Sequence, residues 1–165
     1  MKPSNKKLFQ HPVILVKILE SGNILSVDSK TTVAIMDKIT LNVVNGFNGK
    51  IFHEEYRSRV VDFNSDATSF VSVSSEADSS KLFNLKTKKL ITKVTRHHGH
   101  VTCVGIDPLN RYMFSCGEDG KTFAMDINSG KLAFTLPVHV DAINDIVFSD
   151  NAKLIATASY DKKVL

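Results

Sequence analysis

The chain has 165 residues, of which 42% are hydrophobic and 23% are charged, and its net charge is +4. This balance is typical of a soluble globular protein. The densest basic run, Lys86-Thr87-Lys88-Lys89, lacks interleaved aromatic residues, which argues against a nucleic-acid surface. The apolar run at 13–19 is short, is broken by Lys17 and precedes no cleavage site, which excludes a signal peptide or membrane span there. We therefore expect a cytoplasmic protein that contacts neither nucleic acid nor membrane.

The two cysteines, Cys103 and Cys116, show no metal-type spacing such as Cys-x-x-Cys. No secretory signal supports a disulfide between them. The sequence therefore predicts two reduced, buried thiols, and nothing in it calls for a cofactor.

Short apolar or alternating runs bounded by Gly, Asn, Asp and Ser recur along the chain, and no stretch of ten residues keeps a helical period. The pattern predicts an all-β chain of four units with up to four strands each. The predicted strands are 13–19, 24–28, 32–37 and 41–46, then 59–64, 69–74, 81–85 and 89–95, then 101–107, 112–117, 121–126 and 131–136, then 143–149 and 154–159. The fourth unit stops in its third strand at Leu165.

The units repeat with a nearly constant period. His97 and His139 are 42 residues apart, and so are Asp119 and Asp161. The matching first-strand positions step by 45, 43 and 42 residues; they are Ile18, Phe63, Ile106 and Phe148. Four short strands in such a period predict one small twisted sheet per repeat.

A sheet of this size cannot bury both of its faces alone, so each must stack on a neighbour. Three and a half sheets do not close a ring in the usual way, and an open row leaves apolar end faces exposed. We expect either that the chain is part of a longer protein or that copies associate through their exposed end sheets.

The third and fourth units carry the same three residue types at matching places, with 22 residues between the histidine and the aspartate in each. Buried together, such groups would satisfy one another's hydrogen bonds and tie a loop, a strand and a turn into one sheet. We expect this structural role for His97, Ser115 and Asp119 and for His139, Thr157 and Asp161.

These residues resemble the WD40 repeat of β-propellers, and the resemblance covers nearly the whole chain, most clearly the third and fourth units. It implies four-stranded antiparallel blades in an incomplete propeller, whose parent would have seven blades. The resemblance implies one incomplete domain over 1–165. Its blades would be 9–50, 51–95, 96–137 and a truncated 138–165.

The sequence departs from the family pattern in several places. The tryptophan of the family is absent throughout, and Met36, Phe83 and Met125 stand at its positions. The histidine and aspartate positions also differ in the first two units, where they hold Phe9 and Lys30, and Glu54 and Ala77.

In the family, one rim is lined by the loops leading into the first strands and by the turns between the second and third strands. Partners usually contact this rim. The resemblance implies partner-binding candidates on the third and fourth units: His98, His100, Glu118, Val140, Asp141 and Tyr160. Tyr160 is the strongest candidate because an aromatic side chain on a rigid turn offers much contact area at small entropic cost.

The leading hypothesis is a non-catalytic scaffold that presents these loops to other proteins. A metal-binding or enzymatic propeller is an alternative, since His98 and His100 would share a face if they alternated on a strand. A catalytic trio of His97, Ser115 and Asp119 is disfavoured because the same trio recurs 42 residues later. An accessory role in a bacterial respiratory nitrate-reductase system stays open, although no motif selects it.

Overall fold

The computed structural model describes residues 8–29, 32–48, 60–73, 78–87 and 89–165. These residues form strands, turns and loops, and none of them belongs to a helix that could cross a bilayer. The chain divides into two compact units, residues 1–50 and 51–165. The sheets are antiparallel, and three of them have four strands, which confirms the predicted all-β class.

The first unit is one sheet, blade one, in which each strand pairs with the next along the chain. Its strands are β1 (Val13–Ile18), β2 (Ile24–Asp28), β3 (Thr32–Met36) and β4 (Val43–Asn48). The central strands bury Leu25, Val27 and Val33, as expected for apolar residues on a half-buried sheet.

The fourth strand of blade one begins two residues later than predicted. Asp37 accepts hydrogen bonds from the amides of Ile39 and Thr40, and the Leu41 amide donates to the Asp37 main-chain oxygen. Leu41 itself has a positive φ of 56°. This Asp-capped turn uses residues that alternation alone assigned to the strand.

The second unit holds two four-stranded sheets and one strand pair. Blade two contains β5 (Val61–Phe63), β6 (Ser69–Val73), β7 (Ser80–Asn84) and β8 (Lys89–Val94). Blade three contains β9 (Val101–Ile106), β10 (Tyr112–Gly117), β11 (Thr122–Asp126) and β12 (Leu132–Thr135). Blade four contains β13 (Ile143–Phe148) and β14 (Ile155–Ser159), and Val164 forms an isolated bridge to Ala158.

Blade three packs between its two neighbours because both of its faces are apolar. On one face Val104, Ile106 and Met113 join a core with Val71 and Leu82 of blade two. The other face carries a second core, with Cys103, Phe114, Cys116 and Ala124 of blade three and Ile143 and Ile146 of blade four. Alternation along β9 and β10 sends successive side chains to these two cores, which is the stacking that the repeat predicted.

Candidate functional site

Blade three brings His97, Ser115 and Asp119 into one hydrogen-bonded network. The Nδ1 atom of His97 lies 2.9 Å from Asp119 Oδ1, and its Nε2 atom lies 2.9 Å from Ser115 Oγ. An ionised carboxylate can only accept, so Nδ1–H donates to Asp119, and in the neutral ring Nε2 accepts from the Ser115 hydroxyl. The network joins the loop before β9, the strand β10 and the turn that follows it.

Blade four repeats this geometry 42 residues later. His139 Nδ1 lies 2.9 Å from Asp161 Oδ2, and His139 Nε2 lies 2.9 Å from Thr157 Oγ1. Both imidazole side chains are 0% exposed, and Ser115 and Thr157 are buried. With no solvent access to the ring or the hydroxyl, each network holds its loop and turn together and presents no nucleophile to a substrate.

The two aspartates also hold the backbone of the neighbouring loops. Asp119 Oδ2 accepts from the amide of His98 at 3.0 Å, and Asp161 Oδ2 accepts from the amide of Val140 at 3.2 Å. Lys121 and Lys163 donate their own amides to the same two carboxylates. Each aspartate therefore fixes the loop on one side and the turn on the other.

These contacts change the acidity of both aspartates. Burial acts to raise the pKa of Asp161, but hydrogen bonds from the His139 ring and from the amides of Lys163 and Val140 together lower the pKa to about 2. Burial likewise opposes ionisation of Asp119, and hydrogen bonds from His97 and the neighbouring amides hold its pKa below the ordinary value. Both carboxylates are therefore charged acceptors at neutral pH.

Blades one and two differ at the corresponding positions. Ser72 holds the hydroxyl position of blade two, and its Oγ is buried with no hydrogen-bond partner among the described residues. Glu54, Ala77 and Lys30 lie outside the described residues. In blade one, the buried Val27 takes the place of the hydroxyl.

The rim candidates lie in the loops and turns that the two networks fix. Val140 is 85% exposed and Tyr160 is 67% exposed, and His98, His100 and Asp141 are also exposed. The loop and turn of blade four are joined twice more, since the Tyr160 amide donates to the Ala142 oxygen at 3.0 Å and Ser159 Oγ donates to the Asp141 oxygen at 3.0 Å.

In blade three the half-buried Glu118 belongs to the loop contact itself. Its Oε2 accepts from the His100 amide at 3.1 Å, and its own amide donates to the His100 main-chain oxygen at 2.9 Å. Glu118 is thus partly committed to holding the rim rather than being free to meet a partner.

His98 and His100 do not alternate on a strand, which was the premise of the metal-binding alternative. Both residues lie in the loop before β9, with Gly99 at a φ of 114° between them, and not on a strand where alternation would align them. Across the described ranges, no group of three or more His, Cys, Asp or Glu side chains could hold a metal ion.

Cys103 and Cys116 are free and buried, as predicted. They are directly opposite each other on β9 and β10. Their mutual hydrogen bond, together with burial, raises the pKa of the Cys103 thiol, which disfavours the reactive thiolate.

Sequence reasoning missed further rim residues. Val138 is 60% exposed, and Lys121, Lys162 and Lys163 lie in the same turns as the network aspartates. The alternation Val138–His139–Val140 was the available signal, because a buried histidine between two valines in an extended loop leaves both valines facing outward.

Comparison with known proteins agrees with this geometry. The family model described as "WD domain, G-beta repeat" matches residues 88–123 and 130–165. Over 81 residues the chain is 33% identical to "Small ribosomal subunit protein RACK1y" of Oryza sativa subsp. japonica, covering 49% of this chain and 24% of that protein. It is 36% identical over 78 residues to "Small ribosomal subunit protein RACK1" of Caenorhabditis elegans, covering 47% and 24%.

A further relative is "Pre-mRNA-splicing factor PRP46" of Saccharomyces cerevisiae, 36% identical over 72 residues, which cover 43% of this chain and 16% of that protein. The alignments thus span about a quarter or less of these relatives. The two matched repeats contain both hydrogen-bonded networks, and the sheets around them are antiparallel with up to four strands. The chain therefore carries two WD40 repeats, at residues 88–123 and 130–165.

Proposed function

We propose that the chain is a non-catalytic scaffold that binds other proteins through the rim of blades three and four. The observation that carries this proposal is the pairing of rigidity with exposure. The buried His139 and its partner Asp161 hold the loop and turn of blade four, while the neighbouring Val140 and Tyr160 are 85% and 67% exposed. Exposed apolar and aromatic side chains on fixed backbone lose little entropy when a partner covers them.

The names of the relatives support the same kind of function, binding within an assembly. They are named as small ribosomal subunit proteins and as a pre-mRNA-splicing factor, and we infer by analogy that this chain also acts within an assembly of proteins. Three further points remain predictions: the location of the protein in the cytoplasm, the four blade boundaries within one domain, and a parent protein with seven blades.

The alternatives have less support. Burial of His97 and Ser115 argues against a catalytic trio, and the loop setting of His98 and His100 removes the reason for a metal there. Nothing in the described part of the chain favours the respiratory accessory role. Self-association has a specific observation behind it, because Val147 and Leu154 of blade four are 42% and 72% exposed.

Affinity capture followed by reconstitution tests the proposal. The full chain is used as bait in an extract of its source organism, the captured protein is identified by mass spectrometry, and its Kd is then measured with purified components. The double variant Val140→Asp/Tyr160→Ala is compared with Leu154→Asp. Leu154 is an exposed apolar residue in the same blade, in the turn between β13 and β14 at the opposite end of the strands.

We expect the rim double variant to weaken binding at least about tenfold, because it removes the central apolar contacts, and Leu154→Asp to bind like the wild type. Equal affinities for the wild type and the rim variant would contradict the proposal. Loss of binding only in Leu154→Asp, with a concentration-dependent mass of the wild-type chain, would point to self-association instead.

A further inference from the structure

We propose that Asn45 is a site of spontaneous deamidation, a reaction that slowly converts its neutral side chain into a carboxylate. The inference concerns blade one and is independent of the proposed rim. Asn45 and Gly46 are consecutive residues of β4, and both are exposed. The reaction needs a main-chain amide close to the side chain, room for that amide to approach, and water, and this part of β4 provides all three.

The main-chain amide of Gly46 already contacts the asparagine side chain. Its nitrogen lies 2.8 Å from Asn45 Oδ1 and donates a hydrogen bond to it. Oδ1 is bonded to Cγ, the carbon that the nitrogen attacks, so the two reacting atoms are held close together. Holding a nucleophile beside its target lowers the entropic part of the reaction barrier.

The glycine leaves the approach to Asn45 open. Because Gly46 has no Cβ atom, its backbone turns more freely than that of other residues and puts no side chain against the reacting carbon. Both residues are exposed, so water reaches the product of the first step. Asparagine is a chemically labile residue in proteins, and here its most permissive neighbour follows it.

The position of β4 in the sheet also favours the reaction. It is the last strand of the order β1-β2-β3-β4 and therefore has a neighbouring strand on one side only. The pairing with β3 is irregular next to Asn45, since Ile35 pairs with Asn45 while Met36 pairs with Val43. Edge backbone beside such a bulge rearranges more readily than the backbone of a central strand.

Two other exposed asparagines are placed differently. Asn128 is followed by Ser129, whose amide donates to the Asp126 carboxylate instead. The amide that follows Asn151 donates to the main-chain oxygen of Ser149. In both turns the amide that would attack is held by another acceptor, so these asparagines serve as internal references.

The reaction balances with water as its only co-reactant. The Gly46 nitrogen loses its proton and forms a bond to Asn45 Cγ, and the side-chain nitrogen leaves as ammonia with that proton. Water then opens the cyclic imide at one of its two carbonyl carbons. Attack at Cγ gives aspartate, whereas attack at the main-chain carbon gives isoaspartate, in which the main chain runs through the former side chain.

Either product changes blade one. Aspartate adds a negative charge to β4, whose residues Val43–Asn48 carry none, and a charged side chain on an edge strand opposes further strand pairing. Isoaspartate adds a methylene to the main chain, which disturbs the pairing of Asn45 with Ile35. The aspartate form should therefore protect the open edge of β4, and the isoaspartate form should loosen it.

The test is prolonged incubation of the full chain at neutral pH and body temperature, followed by mass spectrometry of its tryptic peptides. Deamidation raises the mass of a peptide by about 1 Da. Fragment ions assign the change to one residue and distinguish Asn45 from Asn48, which is also followed by glycine. We expect Asn45 to convert at least about tenfold faster than Asn128 in the same sample, because its attacking amide is already in place.

Two variants identify the cause. Asn45→Gln leaves Gly46 unchanged but would have to close a larger ring, and it should abolish the mass gain at this position. Gly46→Ala should slow the conversion of Asn45 by about tenfold or more, because a Cβ atom restricts the approach of the amide. That Cβ would lie 3.2 Å from the Val33 main-chain oxygen, so circular dichroism is used to check that the variant is folded.

Three outcomes would overturn the inference. The first is conversion of Asn45 no faster than that of Asn128, and the second is a rate unchanged by Gly46→Ala. The third is conversion of Asn45 only in strong urea, because the reaction would then belong to the unfolded chain and not to the edge of blade one. None of them affects the scaffold proposal, which depends on Val140 and Tyr160 of blade four.

Discussion

The amide of His139 donates a hydrogen bond of 3.0 Å to the main-chain oxygen of Gly120, so the turn of blade three touches the loop that leads into blade four. Gly120 has a φ of 70°, and a Cβ atom placed on it would lie 2.2 Å from the His139 oxygen. The contact thus needs both the left-handed backbone and the missing side chain of glycine. It joins one hydrogen-bonded network to the next.

Replacing this glycine tests the contact between the two blades. Gly120→Ala should lower the free energy of unfolding by about 1–3 kcal/mol more than Gly130→Ala does, because its Cβ overlaps backbone that cannot turn aside. Gly130 is the matched control in the same blade: its φ is 66°, but its nearest neighbour is the Thr92 side chain at 3.1 Å. Urea unfolding measures both variants. Equal losses would show that the Gly120 contact adds nothing beyond the backbone strain.

Removing a network histidine should destabilise the fold more than removing its exposed neighbour. His97→Ala leaves the buried Ser115 hydroxyl and the Asp119 carboxylate without their ring partner. Leaving buried polar groups unpaired costs about 1–3 kcal/mol. His98→Ala changes an exposed side chain and should stay within about 0.5 kcal/mol of the wild type. Thermal unfolding distinguishes them, and equal stabilities for the two variants would mean that the network is not structural.

Stability should fall in acid because of the network aspartates. The pKa of Asp161 is lowered from 3.8 to about 2 in the folded chain. Between these two pKa values the unfolded chain binds more protons than the folded chain does. The free energy of unfolding therefore rises with pH across this window, and the stabilisation that Asp161 contributes is lost as the pH falls toward 2. Asp161→Asn should be less stable at neutral pH and should show a shallower slope in this window. Urea midpoints from pH 2 to 5 measure the effect, and parallel curves for both proteins would contradict it.

The two thiols should be unreactive while the chain is folded. Cys103 and Cys116 are 0% exposed, and the pKa of the Cys103 thiol is raised by its hydrogen bond to Cys116 and by burial. We expect a thiol reagent such as Ellman's reagent to modify neither cysteine in buffer within minutes, and both in strong denaturant. Rapid modification of the native chain would show that the core between blades three and four opens readily.

Much of the fold was predictable because the strand pattern and the period are local properties of the chain. The strands of blade three lie within one residue of their predicted bounds. The pairing of His97 with Ser115 and Asp119 could be expected from spacing, since the same three residue types return in blade four. The boundary of β4 was missed because the Asp37 turn competes with alternation.

The docking of one blade on the next could not be predicted in the same way. A period states which residues are equivalent between repeats but not which atoms of two repeats meet, so the contact of Gly120 with His139 left no sequence signal beyond the glycine itself. The degree of exposure was equally hidden: the family resemblance placed Val140 on the rim, but not the extent, 85%, to which it is exposed. Both properties depend on packing between distant parts of the chain.

Hydrogen–deuterium exchange of the full chain with and without its captured protein partner tests whether the partner binds at the rim. We expect the partner to slow exchange at 97–100, 118–121, 138–142 and 159–163, and to leave the turns at 107–111 and 149–154, at the opposite end of the strands, unchanged. Protection concentrated at those opposite turns, with none at the rim, would contradict this expectation.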